Sequence, residues 1–534
     1  MGNEPQRTTE GTFHTDVLVI GAGLAGLSAA ITALRAGVRV VLASSGTLCS
    51  GSSFSPATWG LGMVTPGAAG QQSLARAIAE VGCGRNDQQV TAALCQNAES
   101  SIDFLESLGP TLETPDNPGQ REFIPCFDSV ARSWHGFRSK LWLNAFNNAL
   151  EPHMGAGRLL VVEHAAALSL LQDGHGAVRG CLLWTPAGPV TALACQTIIA
   201  TGGFAGLWGG HLCAPQNRGA CHVLAQDAGA SLTNVDCMQL MLGFRANGRV
   251  CVHNEKVFRW THLVDGQTGA SIFAEMGIDE DLAAHALALH ATHGPYTTRL
   301  PSRLVEKTIA GFHVKHPDRA VMARLDPAFL AQPNKPEFVQ TYFAWLKQET
   351  GLNPEDPLPV GQFAHSCNGG IAIDPCARTS VPCLLACGEA AGGVHGQDRI
   401  GGLASTAAVT FGRIAGATAA QAAAAAATGA SNDLHLATPL PLCARHDAAE
   451  TAARVGALLD QYCMVNRAPD QLRIALEDLG RMQSAGPSTS DPREEIRLLA
   501  SQDGAALAST HQADLAVRMA QLVVRANLAA AADR

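Results

Sequence analysis

No Cys-x-x-Cys pair occurs in this sequence, although its 16 cysteines run from Cys49 to Cys463. That spacing excludes zinc ribbons, thioredoxin-type motifs and ferredoxin cluster runs. The cysteines read instead as small buried hydrophobes of a reducing compartment, and no metal site is expected. Basic charge is scarce: 37 Lys and Arg face 46 Asp and Glu, a net charge of −9. A chain without a basic stripe is a poor partner for nucleic acid or an anionic membrane. No stretch reaches ~18 uninterrupted apolar residues, so no membrane span is expected. The leading MGNEPQRTTEGTFHTD has no apolar core and is not a secretory signal; a cytoplasmic location follows as the expectation. With 47% hydrophobic and 16% charged residues, the chain is neither disordered nor fibrous. Its 534 residues suggest about three units at ~150 residues each.

What is present begins at Thr15-Asp-Val-Leu-Val-Ile20, an apolar strand running into Gly21-Ala22-Gly23-Leu-Ala25-Gly26. Leu27 to Ala36 has helical composition, Gly37 stops it, and Val38 to Leu42 reads as a second strand. A GxGxxG placed between strand and helix in a βαβ unit of about thirty residues is a dinucleotide-binding fingerprint. Its glycines serve a tight turn, close approach of backbone to a pyrophosphate, and close helix packing, while the helix N-terminus offers free N–H groups. A Gly/Ser-rich loop over 46–70 suits a long cofactor lying along it. Helices are expected over 72–110 and near 138–150, and Leu159 to Val162 with Val178 to Leu183 read as a strand meander. Thr197 to Gly203 is a strand ending in a glycine turn, of the kind that closes a two-dinucleotide-binding-domain flavoprotein fold. Residues 236–355, richer in His, Arg and aromatics, interrupt the α/β pattern as an inserted domain. The nucleotide fold is expected to resume at Pro359, with strands at Gly370 to Ile373 and near Cys383 to Cys387, then a helix from Gly402 to Ala427. Residues 428–445 read as a linker, and the remainder as a helical bundle. The expected architecture is α/β: a Rossmann-like nucleotide-binding domain from 14–235 and 356–428, an inserted domain from 236–355, and a helical C-terminal domain from 440–534.

With these motifs in view, the chain resembles the fumarate reductase, succinate dehydrogenase and L-aspartate oxidase flavoprotein family, closest in pattern to L-aspartate oxidase. The most specific run is Gly388-Glu389-Ala-Ala-Gly-Gly-Val-His395-Gly-Gln-Asp398-Arg399-Ile-Gly-Gly402, in which Asp398 stands where the family has Asn. The His365-Ser-Cys-Asn-Gly-Gly370 segment matches too. The resemblance implies that 14–235 and 356–428 form an FAD domain and 236–355 a cap. It implies an extended FAD held by Gly21, Ala22, Gly23, Ala25 and Gly26, by Ser44 and Ser45, and by Gly51, Ser52, Ser53, Ala57, Thr58 and Gly60. Further contacts fall on Ala167, Ala200, Thr201, Gly202, Ala404 and Ser405, with Glu389 on ribityl or ribose hydroxyls. No histidine lies in the 49–60 loop, where membrane-complex relatives attach the flavin, so the FAD is expected to be non-covalent. Arg399, in a glycine-flanked turn, can take a carboxylate bidentately, with His365 as second anchor. Arg303 falls at the family's proton-transferring arginine. The departures cluster at the substrate end: Met241 replaces a histidine, Pro125 the glutamate of L-aspartate oxidase, and Leu403 an asparagine. The implied activity is hydride transfer between flavin and a carboxylate-bearing small molecule, at a Cα–Cβ or Cα–N bond. The acceptor is open between oxygen, a quinone and a partner protein. L-aspartate oxidase-type activity and a non-catalytic flavin-binding subunit stand as alternatives.

Overall fold

The computed structural model describes residues 12–55, 61–137, 139–425, 433–441, 447–482, 488–489, 492–501 and 503–532. The first strand, Thr12–Ile20, has Val17, Leu18 and Val19 fully buried, as a parallel strand covered on both faces requires. It pairs in parallel with Val40–Ala43 on one side and Gly188–Ile199 on the other. Val40–Ala43 pairs onward, also in parallel, with Leu159–Val162. Leu159–Val162 is therefore the far edge of the parallel layer and not part of a meander. The meander is Ala166–Asp173, Val178–Thr185 and Gly188–Ile199, whose far end also takes Leu384–Ala386 in parallel. Leu434–Leu436 closes the eight-stranded sheet beside Ala166–Asp173, inside the stretch expected to be linker.

Helix Leu24–Arg35 packs along helix Leu403–Ala425. Gly412 and Gly416, one turn apart, let the backbones touch: a Cβ at either would sit 2.4 or 2.3 Å from the carbonyl oxygens of Ala25 and Ala29. The loop expected over 46–70 is part strand, since Leu61–Thr65 pairs antiparallel with Ser133–Phe137. Helices Gln71–Val81, Gln88–Glu106 and Ser139–Gly155 lie where helical periodicity placed them.

A separate five-stranded antiparallel sheet runs Arg249–Val252, Met238–Ala246, Leu358–Cys367, Val321–Leu325, Thr261–Asp265. Its own core, with Leu242, Phe244, Phe258 and Phe312, is covered by helices Glu280–His290 and Leu304–Lys315 among others. Leu358–Cys367 is the central strand of this cap sheet, so the return to the nucleotide fold comes after Cys367 and not at Pro359. Met238 pairs with Cys367, and Asn368 N–H donates to Cys237 O at 2.9 Å. The chain thus enters and leaves the cap at one point. Helices Ala448–Tyr462, Pro469–Met482, Pro492–Leu499 and Gly504–Ala532 form the terminal bundle. Gly504–Ala532 is long and apolar enough to cross a membrane, yet half of its most apolar stretch is buried in the fold, against Ala448–Tyr462 and Pro469–Met482.

Candidate functional site

A cavity of about 380 Å³ runs from the Gly21 turn to the cap. Its floor is the strand–turn–helix. Gly21 has φ +112°, and a Cβ there would lie 2.3 Å from Ala200 O. Gly23 caps the helix without any side-chain bond to the first-turn N–H groups, which leaves those donors to a ligand on the cavity side. Gly23, Ala22, Ala25, Ser44, Ser45, Gly51, Ser52 and Ser53 line the cavity; so do Ala167, Ala200, Thr201, Gly202, Glu389, Ala404 and Ser405. Gly26 does not line it: a Cβ there would meet Gly21 O at 1.8 Å, so its role is to seat the helix on the turn. Ala57, Thr58 and Gly60 lie outside the described residues. Ser52 Oγ accepts from Ala214 N at 3.0 Å and Asn217 Nδ2 at 3.1 Å, tying the loop to the 214–217 turn. Glu389 Oε1 accepts from Cys367 N at 2.8 Å, and burial pushes this carboxyl above its ordinary range.

At the cap end, Arg399 is 8% exposed and donates from Nη2 to Gln239 Oε1 at 2.8 Å, while its Nε has no partner. No carboxylate pairs with it among the described residues. Burial lowers its pKa but leaves a guanidinium a cation at neutral pH. His365 lines the same wall, and burial, then the Arg399 charge, drives its pKa down to about 3, so it is a neutral imidazole. Met241 lines the wall as well.

Two expected site residues lie elsewhere. Leu403 is fully buried in the core and does not reach the cavity. Arg303 is exposed at the start of helix Leu304–Lys315, with Nη1 on Thr298 O at 2.9 Å, and is not part of the wall. Asp398 turns away to Thr297 Oγ1 (2.7 Å) and Arg299 Nε (2.6 Å). Conversely, the wall holds groups the sequence did not single out. Lys256, 7% exposed, donates to Ile124 O at 3.1 Å; its neighbour Glu255 accepts from Cys126 Sγ at 3.1 Å. Gln512, from the terminal bundle, reaches the cavity and donates to Ala167 O at 2.7 Å. None of these carries a local motif.

The cavity fits an extended dinucleotide: an uncapped helix N-terminus behind bare glycines, a buried carboxylate midway, and a cation at the far end. Comparison with known proteins agrees. The FAD binding domain family model matches residues 16–404. The L-aspartate oxidase of Halobacterium salinarum is 27% identical over 429 residues, covering 76% of this chain and 75% of that protein. A component of the fumarate reductase (CoM/CoB) of Methanothermobacter marburgensis is 26% identical over 424 residues, covering 77% and 73%. Among solved structures, Mycobacterium smegmatis Sdh1 in complex with UQ1 superimposes with a TM-score of 0.75 at 21% identity, covering 98% of this chain and 87% of that one. A quinol-fumarate reductase with menaquinol molecules gives 0.73 at 19%, covering 97% and 91%. At these identities the structures speak for the fold alone.

Proposed function

The chain belongs to the FAD binding domain family and is an FAD-dependent oxidoreductase of the fumarate reductase and L-aspartate oxidase type, and from that premise we propose that its substrate is a carboxylate-bearing small molecule oxidised or reduced at a Cα–Cβ or Cα–N bond. Bound FAD supplies the two-electron chemistry, accepting or donating a hydride. One observation carries the substrate reading: Arg399 is a buried cation on the cavity wall whose bonded partner, among the described residues, is a neutral amide. A buried charge left unpaired is costly, and a carboxylate on its free N–H groups removes that cost while fixing the reacting carbon. Gln239 holds the fork still. His365, being neutral, serves as a hydrogen-bonding group and not as a second cation. With Arg303 outside the cavity, Glu255 and Lys256 are the wall's side chains suited to hold a proton beside the substrate. Pro125, on the wall at the position that aligns with the glutamate of L-aspartate oxidase, offers an α-ammonium group no carboxylate there, which disfavours aspartate itself.

The test is anaerobic titration of the FAD-loaded protein with carboxylates, amino acids and enoates, following flavin absorbance in both oxidation states. Bleaching or re-oxidation by at least one carboxylate is the expected result, and turnover with oxygen, a quinone or a protein acceptor then identifies the acceptor. Flavin that no member of the panel reduces or re-oxidises would favour a non-catalytic flavin carrier instead.

A further inference from the structure

The cavity that holds Arg399 also carries an apolar patch. Gln239, whose amide holds Arg399, is two residues before Met241 on strand Met238–Ala246. Met241 forms a small cluster with Leu212, Val252 and Phe363, separate from both main cores. Leu212, Met241 and Val252 all line the cavity, at 6%, 8% and 6% exposure. Leu212 is fixed there by its N–H on Ala364 O at 2.8 Å. The charged groups of the wall's 255–256 turn are tied elsewhere. Lys256 is tied to Ile124 O, and Glu255 to Cys126. Burial pushes the Cys126 thiol up to about 12 and the Glu255 carboxylate adds to that, while the Lys256 and Arg399 charges oppose it.

We infer that the substrate carries one carboxylate, held on the Arg399 side, and an apolar substituent that packs on Leu212, Met241 and Val252. A second carboxylate packed on those three side chains would be stripped of water by groups that donate no hydrogen bond, whereas an alkyl or aryl group gains by leaving water. This rests on the carboxylate reading above and narrows it to apolar monocarboxylates.

The test compares three probes of one enoate frame on the FAD-loaded protein: crotonate, trans-cinnamate and fumarate, which put methyl, phenyl or carboxylate on the far carbon. Binding is read from the shift of the bound flavin spectrum, without turnover. Crotonate or cinnamate should bind at least about tenfold more tightly than fumarate. Met241→Asn should narrow that preference to within about threefold while flavin content stays at the wild-type level. Fumarate binding as well as or better than both monocarboxylates in the wild-type protein overturns the inference but leaves the carboxylate reading standing. If none of the three perturbs the flavin, the inference falls, and the carboxylate reading is then decided separately by the wider panel of carboxylates and amino acids.

Discussion

The glycines at 23 and 26 should fail in opposite ways when each is given a methyl group. A Cβ at Gly23 meets only Gly51 Cα, at 3.9 Å, and its φ of −83° suits any residue. The fold therefore accommodates alanine there, but the methyl occupies the cavity where the pyrophosphate approaches the helix. Each charge-assisted bond from a backbone N–H is worth about 1.5–3 kcal/mol. Losing two costs about 3–6 kcal/mol, which weakens FAD by roughly 10²–10⁴. A Cβ at Gly26 lies 1.8 Å from Gly21 O and 2.9 Å from Gly21 C. The obstacle is backbone and cannot swing aside, so Gly26→Ala should cost about 3 kcal/mol, the upper end for overpacking. Urea unfolding of the apo forms isolates stability from bound flavin, and equilibrium dialysis against FAD gives affinity. Gly23→Ala should keep the wild-type urea midpoint and lose flavin; Gly26→Ala should lose midpoint first. The reasoning is refuted if Gly23→Ala retains stoichiometric FAD, or if the apo form of Gly23→Ala is destabilised as much as that of Gly26→Ala.

Arg399→Ala should raise KM by about 10² with a smaller loss of kcat, because a carboxylate clamp acts on ground and transition states alike; equal loss in both parameters would place Arg399 in the chemical step instead. Arg303→Ala, exposed and outside the cavity, should leave kcat within about threefold in the same assay; a loss of 10² or more would mean the side chain enters the site during turnover. Burial holds His222 at about 4, and His253 and His365 at about 3, below the unfolded value near 6.5. Each then takes up a proton only on unfolding, so stability is full above pH ~6.5 and falls as acid is added, by up to about 1.4 kcal/mol per pH unit per histidine. Urea midpoints that stay flat from pH 7 to pH 5 would contradict this. Acid precipitation should release the flavin into the supernatant, and yellow colour kept by the pellet would show a covalent bond.

The nucleotide end of this molecule is legible because its determinants are local. Gly21, Gly23 and Gly26 act within one turn, and Ala200 to Gly202 follow a strand whose apolar run announces it. The cap end is legible only where a motif reaches it, as at His365 and Arg399. Lys256, Glu255, Leu212 and Gln512 come to the cavity from a short helical turn, a loop and the terminal bundle, and no sequence period marks their convergence. Strand Leu61–Thr65 reads as loop because its partner, Ser133–Phe137, lies about seventy residues away. Composition assigns Leu358–Cys367 to the wrong sheet for the same reason: it does not say which neighbour a strand will find. Arg303 shows the converse. The family motif marks it, but the side chain is exposed, with its Nη1 on the Thr298 carbonyl.

The shared entry and exit of the cap, at Met238 and Cys367, makes it a cassette. Antiparallel partners stand about 5 Å apart, a gap that one or two residues span. The cap can therefore be cut out or exchanged for another without changing the register of Gly188–Ile199 against Thr12–Ile20 or Leu384–Ala386. Most of what grips the pyrophosphate stays with the body, and Gln239, Met241, Val252 and Lys256 leave with the insert. Arg399 and Leu212 stay with the body, so an exchanged cap would reshape one wall of the substrate pocket while the nucleotide grip and the carboxylate clamp remain in place.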